Sequence, residues 1–294
     1  MRRAAEDMTN PFSILHRSFE RFWRHDGFNK AAAISFYALF SLIPILFLLT
    51  AFLGFILGVQ AGLLDRIIEL VREGLPYLSD SLVEDVRGLA RNAPTFGWVG
   101  LLTLVWTADF VLSAMQDSLA DIFEVREARG FLMRRLTGMA VILVGLVTAL
   151  FSLGMTALVE VVRKIDITVF DIDLSEWLVR SLTFSHILPA LLLVLSVAAV
   201  FKIIAGRSMG FVDALWGSVF FTLLWEAAKT LFKWYISNFP SYNKFYGSLG
   251  TVMILLVWIY YSTAIFLYSA SVSATLAGRG RERGGPGRGG PPGG

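Results

Sequence analysis

Long apolar runs without a single charge set the pattern of this chain. Residues 31–58, 136–159 and 245–278 hold no Asp, Glu, Lys or Arg, in blocks of 28, 24 and 34 residues. A helix in water needs a polar face, and about 20 apolar residues already cross a bilayer. Six spans are predicted, at about 31–58, 96–115, 136–159, 187–205, 211–236 and 248–277. The fold class is all-α: a polytopic membrane protein built as a six-transmembrane-helix bundle, with amphipathic N-terminal and extracytoplasmic helices. A two-domain soluble enzyme is excluded.

Breaks in the runs add detail. The first span would measure ~42 Å as a straight helix against a hydrocarbon core of ~30 Å, so it tilts, kinks or starts in the interface. Pro44 removes a backbone donor in mid-run and predicts a kink, with Ser41 one turn earlier to satisfy a freed carbonyl. Pro189 falls in the first turn of the fourth span, where its missing N–H costs nothing. Gly247 and Gly250, in Tyr246-Gly247-Ser248-Leu249-Gly250, predict a non-helical start to the sixth span.

Outside the spans, Phe12, Leu15, Phe19, Phe22 and Trp23 recur at helical spacing with Arg17, Arg21 and Arg24 among them. Residues 1–30 read as a cytoplasmic amphipathic segment whose helix anchors to the anionic inner leaflet. Residues 62–90 read as two short amphipathic helices broken at Pro76, the second opened by Ser81 and Glu84 as a capping box. Residues 165–174 partly alternate and predict an extended loop. The Gly/Arg/Pro-rich tail, 278–294, has no apolar side chain to bury beyond its prolines and is expected to be disordered.

Charge placement orients the chain. Of 26 basic residues, 16 fall in the first 30 residues, the 116–135 loop, the 202–210 turn and the tail. The opposite segments carry ten, and two of them, 59–95 and 160–186, hold eleven acidic residues. The positive-inside rule then puts both termini in the cytoplasm. The net charge of +3 reports this loop bias and not nucleic-acid binding. The chain has no cysteine and only three scattered histidines, His16, His25 and His186, so neither thiolate chemistry nor a histidine metal cluster is expected.

Polar groups inside the spans are the candidates for function. A carboxylate near the bilayer centre costs about 2.5–3.5 kcal/mol, so Asp109 in the second span should face the bundle or a water-filled cavity. Glu226 and Lys229, three apart in the fifth span, share a face with Lys233 one turn on. An intrahelical ion pair and a polar pathway are both open readings of them. Gly54 and Gly58 form a GxxxG, and Ser262, Ser269 and Ser273 line one stripe, a pattern of close helix packing with interhelical hydrogen bonds. No Walker A, HExxH or CxxC motif is present, so no enzyme activity, cofactor or metal is predicted.

Three stretches read together resemble the YihY/BrkB family of bacterial inner-membrane proteins: SFYALFSLIP (Ser35–Pro44), MQDSLADIFEV (Met115–Val125) with the basic turn through Arg135, and YGSLGTVMILLVWIYYSTAIFLYSA (Tyr246–Ala270). The resemblance covers roughly residues 15–277 and implies six helices in the plasma membrane. It also brings an older label, ribonuclease BN, applied by misassignment and unsupported by these isolated histidines. Where relatives end the last span with a Gly-Ala-Glu-like element, this chain has Ser269, Ala270 and Ser271.

These readings make the chain a non-ATP-driven transporter-like or exporter-like protein. The rival is a structural or accessory protein of envelope biogenesis, whose polar groups only hold helices together. A ribonuclease is a remote third. The partners expected are membrane lipids and a small-molecule or lipid substrate, with no nucleic acid; a homo-oligomer is left open.

Overall fold

The computed structural model describes residues 11–59, 93–125, 130–164, 168–169, 172–173, 187–238 and 248–284. Among these are seven α-helices: α1 (Pro11–Arg24), α2 (Gly27–Val59), α3 (Ala93–Ile122), α4 (Phe131–Lys164), α5 (Leu188–Ala205), α6 (Phe211–Asn238) and α7 (Ser248–Gly284). Six of them, α2 to α7, are long and apolar enough to cross a membrane. The predicted helices at 62–90, with Pro76, Ser81 and Glu84, lie outside the described residues, as do Gly247 and the last ten residues of the tail.

The chain forms two compact units, residues 33–113 and the remainder. In the first, α2 and α3 pack closely where Gly100 admits them: a Cβ there would stand 3.0 Å from the Phe47 Cβ and 3.1 Å from the Leu48 nitrogen. Tyr37 and Phe110 stack with centroids 5.6 Å apart. Pro44 is buried inside an unbroken α2. The Ser41 hydroxyl donates to the Ala38 carbonyl at 2.7 Å and not to the Phe40 carbonyl that Pro44 frees. A serine hydroxyl reaches back three or four residues along its own helix, and Phe40 is only one residue away.

In the second unit α7 is the central contact, packed on α6 and α1, while α5 packs on α6 and α4. The buried stripe of α6 is Ala214, Gly217, Ser218, Phe221 and Thr222. Gly217 sets the crossing: a Cβ there would fall on Ser273 Oγ and 2.8 Å from the Ser269 carbonyl oxygen. Small residues thus replace large ones where backbones meet, the rule inside membranes, where lipid removes the hydrophobic drive between helices. The hydroxyls of the α7 stripe mostly stay within their helix, contrary to the expected cross-helix bonds. Ser262 donates to Trp258 O at 2.7 Å and Ser269 to Ile265 O at 2.8 Å. Hydroxyls bridge elements elsewhere, Thr148 to Ser196 at 2.6 Å and Ser18 to Thr275 at 3.1 Å.

Three further differences concern ends and edges. Gly250 lies within the first turn of α7, where the N–H groups lack intrahelical acceptors in any case, so a glycine there does not break the helix. The same helix continues to Gly284, six residues past Gly278, because propagating a formed helix is far cheaper than starting one. Within 165–174, Thr168–Val169 and Ile172–Asp173 pair as short antiparallel strands. Large apolar side chains such as Leu102, Trp106, Leu143, Leu150, Leu223 and Leu231 are exposed on the spans, as a lipid-facing surface requires.

Candidate functional site

Among the described residues of the second unit, three ion pairs gather at the C-terminus of α3. Asp117, Asp121 and Glu124 follow one another at steps of four and three, which aligns them along one side. Each carboxylate takes a base from a different element: Arg134 of α4 on Asp117 at 2.7 Å, Lys30 of α2 on Asp121 at 2.6 Å, and Arg21 of α1 on Glu124 at 2.7 Å.

The end of α3 is a Schellman turn, with Val125 N–H bonded to Ala120 O at 3.0 Å and Glu124 N–H to Asp121 O at 3.1 Å. Glycine normally occupies the left-handed position of that turn. Here it is Glu124, at φ 50°. A side chain in this region costs about 1–2 kcal/mol, and what Glu124 supplies in return is its carboxylate, aimed at Arg21. The Arg21 Nε also donates to the Ile122 carbonyl at 2.8 Å, so one guanidinium ties α1 to both the backbone and the side chain of the turn. Burial lowers the Arg21 pKa from its ordinary value, and the Glu124 charge works against that shift.

His25 completes the group, its Nε2 3.7 Å from Glu124 Oε1 and buried without a hydrogen-bond partner among the described residues. Desolvation lowers its pKa, followed by the charges of Arg21 and Lys30, with Glu124 and Asp121 opposing. Helix α1 itself docks on α7 through Tyr268, whose hydroxyl donates to the Leu15 carbonyl at 3.2 Å and whose ring meets Phe22 edge-on. Phe22 is buried, while Phe12 and Trp23 stay exposed. The amphipathic helix therefore divides its apolar residues between the protein and an open face.

Beside this network is a cavity of about 740 Å³. Its charged lining is Arg21, Glu124 and Arg207, and its apolar walls include Phe123, Met133, Ile203 and Met209. The floor turns at Gly206, whose backbone angles of φ 59° and ψ −122° suit only glycine. Lys202 folds back over this turn, its ammonium donating to Gly206 O at 2.8 Å and Met209 O at 2.7 Å. Carbonyls of the turn that follows α5 are thereby satisfied by a cation.

The residues singled out from the sequence lie elsewhere. Asp109 is half-buried and partnered, in the 33–113 unit. Lys229 and Glu226 are exposed on α6 and pair with each other at 2.6 Å. An apolar groove of about 640 Å³ between α6 and α7 runs from Ala228 to Tyr235 on one side, and neither Glu226 nor Lys229 lines it. Sequence reasoning missed Arg21, Glu124, Lys202 and Arg207 as a group. The 4,3 spacing of acids at the end of the second span was the available signal. Among the described residues, no three His, Cys, Asp or Glu side chains gather where one metal ion could be held.

Residues 18–289 match the family model described as Virulence factor BrkB. The chain belongs to the BrkB family. Among curated BrkB relatives, it is 27% identical over 272 residues to the ribonuclease-like protein YfkH of Bacillus subtilis, covering 90% of this chain and 95% of that one. It is 28% identical over 277 residues to a UPF0761 membrane protein of Rhodospirillum centenum, covering 94% of this chain and 60% of the relative. A UPF0761 membrane protein of Chromohalobacter salexigens is 28% identical over 271 residues, with 91% and 64% covered. The chain thus spans about three fifths of the length of these UPF0761 relatives. No solved structure matches. Family and fold agree on a multi-pass membrane protein with six candidate spans.

Proposed function

We propose that this BrkB-family protein is a non-ATP-driven transporter-like protein of the bacterial plasma membrane, with both termini cytoplasmic and the 740 Å³ cavity as its cytoplasmic substrate vestibule. The observation that carries the reading is the cavity itself. It has the size of a small-molecule site, a wall divided about evenly between polar and apolar surface, and a few convergent charged groups. It is bordered by the C-terminal ends of α1, α3, α5 and α7 and the start of α4. Those are the segments richest in Lys and Arg, so the positive-inside rule turns its mouth to the cytoplasm. The name of the YfkH relative adds no nuclease chemistry here, since the described residues at this site form a cation–carboxylate network and, among the described residues, no clustered metal-ligand set is present.

The test is flux. The full chain reconstituted in proteoliposomes is screened against metabolite mixtures, with extracts of cells lacking and overproducing the protein used to choose the solutes. Uptake or release above protein-free vesicles is expected, without ATP. Orientation is read in intact cells and inverted membrane vesicles, because the chain is free of cysteine. A membrane-impermeant maleimide should label Gly130→Cys from the cytoplasmic side and Asn238→Cys from the outside.

The accessory role in envelope biogenesis is favoured by a different observation, the mutual pairing of Glu226 and Lys229. Two intramembrane charges that neutralise each other hold a helix in lipid without any path for a solute. A protein with no flux under any solute, whose loss alters the envelope, would place it in that class.

A further inference from the structure

The cavity beside Arg21 has an unbalanced charge, and the imbalance selects its ligand. Around the end of α3 every base is matched: Arg134 with Asp117, Lys30 with Asp121, Arg21 with Glu124. Two cations at the turn after α5 are not: Arg207, in the cavity lining, and Lys202, which lies behind the lining and bonds two residues that belong to it. Lys202 is held by two carbonyl oxygens, and among the described residues no carboxylate lies within ion-pair distance of it or of Arg207. Asp213, the nearest acid along the chain, accepts from the Gly210 N–H at 3.2 Å. The single carboxylate in the lining, Glu124, is engaged by Arg21. A half-buried ammonium under the turn and an exposed guanidinium at its edge therefore leave the cavity net positive.

We propose that this cavity binds an organic oxyanion, a phosphate or carboxylate group carried on an apolar body, with Arg207 as the cation that grips the oxygens and Lys202 as fixed charge beneath them. Arg207 offers the planar fork that matches such a group bidentately. Lys202 spends two of its three protons on Gly206 and Met209, so it acts through its charge and by shaping the turn. The walls contributed by Phe123, Met133, Ile203 and Met209 fit the apolar body and give a bare inorganic ion little to hold. A volume of about 740 Å³ accommodates both parts. A cationic ligand is disfavoured, because it would have to draw Glu124 away from a half-buried arginine.

The inference names the substrate class for the vestibule and so rests on the transport reading, but binding is measured apart from flux. Purified full-length protein in phosphatidylcholine nanodiscs is titrated with hexyl phosphate, hexanoate and hexyltrimethylammonium, following tryptophan fluorescence and melting temperature. The anions are expected to bind at least about tenfold more tightly than the cation, and Arg207→Gln to weaken them about tenfold. The melting temperature of the unliganded variant should be unchanged, because Arg207 is exposed and makes no ion pair among the described residues. Equal affinity for anion and cation, or anion binding untouched in Arg207→Gln, overturns the proposal. Adding phosphatidylglycerol distinguishes the sources: competition with hexyl phosphate assigns the site to a lipid headgroup, and its absence to a soluble anion. Anion binding without any flux overturns the transport reading alone.

Discussion

Arg21 Nη2 stands 2.7 Å from Glu124 Oε1, joining the helix before the first span to the turn that ends the second. The pair explains a glutamate in a left-handed position that glycine would occupy more cheaply. It also makes the two partners unequal. Glu124 is the more exposed, so removing it strands a half-buried guanidinium, whereas removing Arg21 leaves a carboxylate that water can reach.

Substitutions at Glu124 separate charge from backbone strain. Glu124→Gln keeps the strained angle and loses the ion pair, and should destabilise by about 1–2 kcal/mol. Glu124→Gly loses the same pair but relieves the left-handed strain, worth about 1 kcal/mol. The glycine variant should melt above the glutamine one in detergent; the reverse order would mean that the turn carries no strain.

At the α6–α7 crossing, Gly217→Ala forces a methyl onto Ser273 Oγ and should cost about 1–3 kcal/mol. The Ser273 hydroxyl is buried without a hydrogen-bond partner among the described residues. Ser273→Ala should accordingly be neutral or stabilising, and Ser273→Gly should rescue part of the Gly217→Ala loss. Thermal unfolding of the three variants and the Gly217→Ala/Ser273→Gly pair checks the arrangement.

Acid should loosen the contact between α1 and the α3 turn. The His25 pKa is lowered in the folded chain, so on acidification the unfolded chain takes up the proton first. The His25 contribution is therefore whole above the ordinary histidine pKa of about 6.5 and is lost as pH falls from there toward the lower folded value. Melting temperatures measured between about pH 8 and about pH 5 should fall less in His25→Gln than in the parent chain. Parallel curves would show that His25 does not contribute.

Within the spans, the two sequence candidates should behave differently in the flux assay. Asp109→Asn is expected to reduce flux several-fold, since a half-buried intramembrane carboxylate is costly to keep for structure alone. The double variant Glu226→Gln, Lys229→Gln removes a self-contained pair and should leave flux unchanged. A silent Asp109→Asn with an impaired double variant would move the solute path to α6.

Much of the architecture could be read from one dimension. A charge-free run such as 136–159 has a single stable solution, because every backbone N–H and C=O in lipid must be bonded within its own helix. Span number and approximate limits follow from that local requirement, and so did the helix of residues 12–23, found as α1 (Pro11–Arg24). Errors came at ends. Gly250 and the residues after Gly278 are helical because neighbouring turns carry them, a cooperative effect that composition does not display.

The Glu226–Lys229 pair was legible as one of two options because both partners lie three apart on one helix. The Arg21–Glu124 and Lys30–Asp121 pairs were not, with partners about ninety to a hundred residues apart on elements that only packing brings together. The sequence by itself determined that this is a six-span membrane protein of the BrkB family, since hydrophobic length and motif order are properties of the chain. Which charges meet, which remain unmatched, and that Arg21, Glu124 and Arg207 border one cavity were decided by tertiary structure alone. Electrostatic balance depends on distances of a few ångströms, and those exist only once the helices have packed.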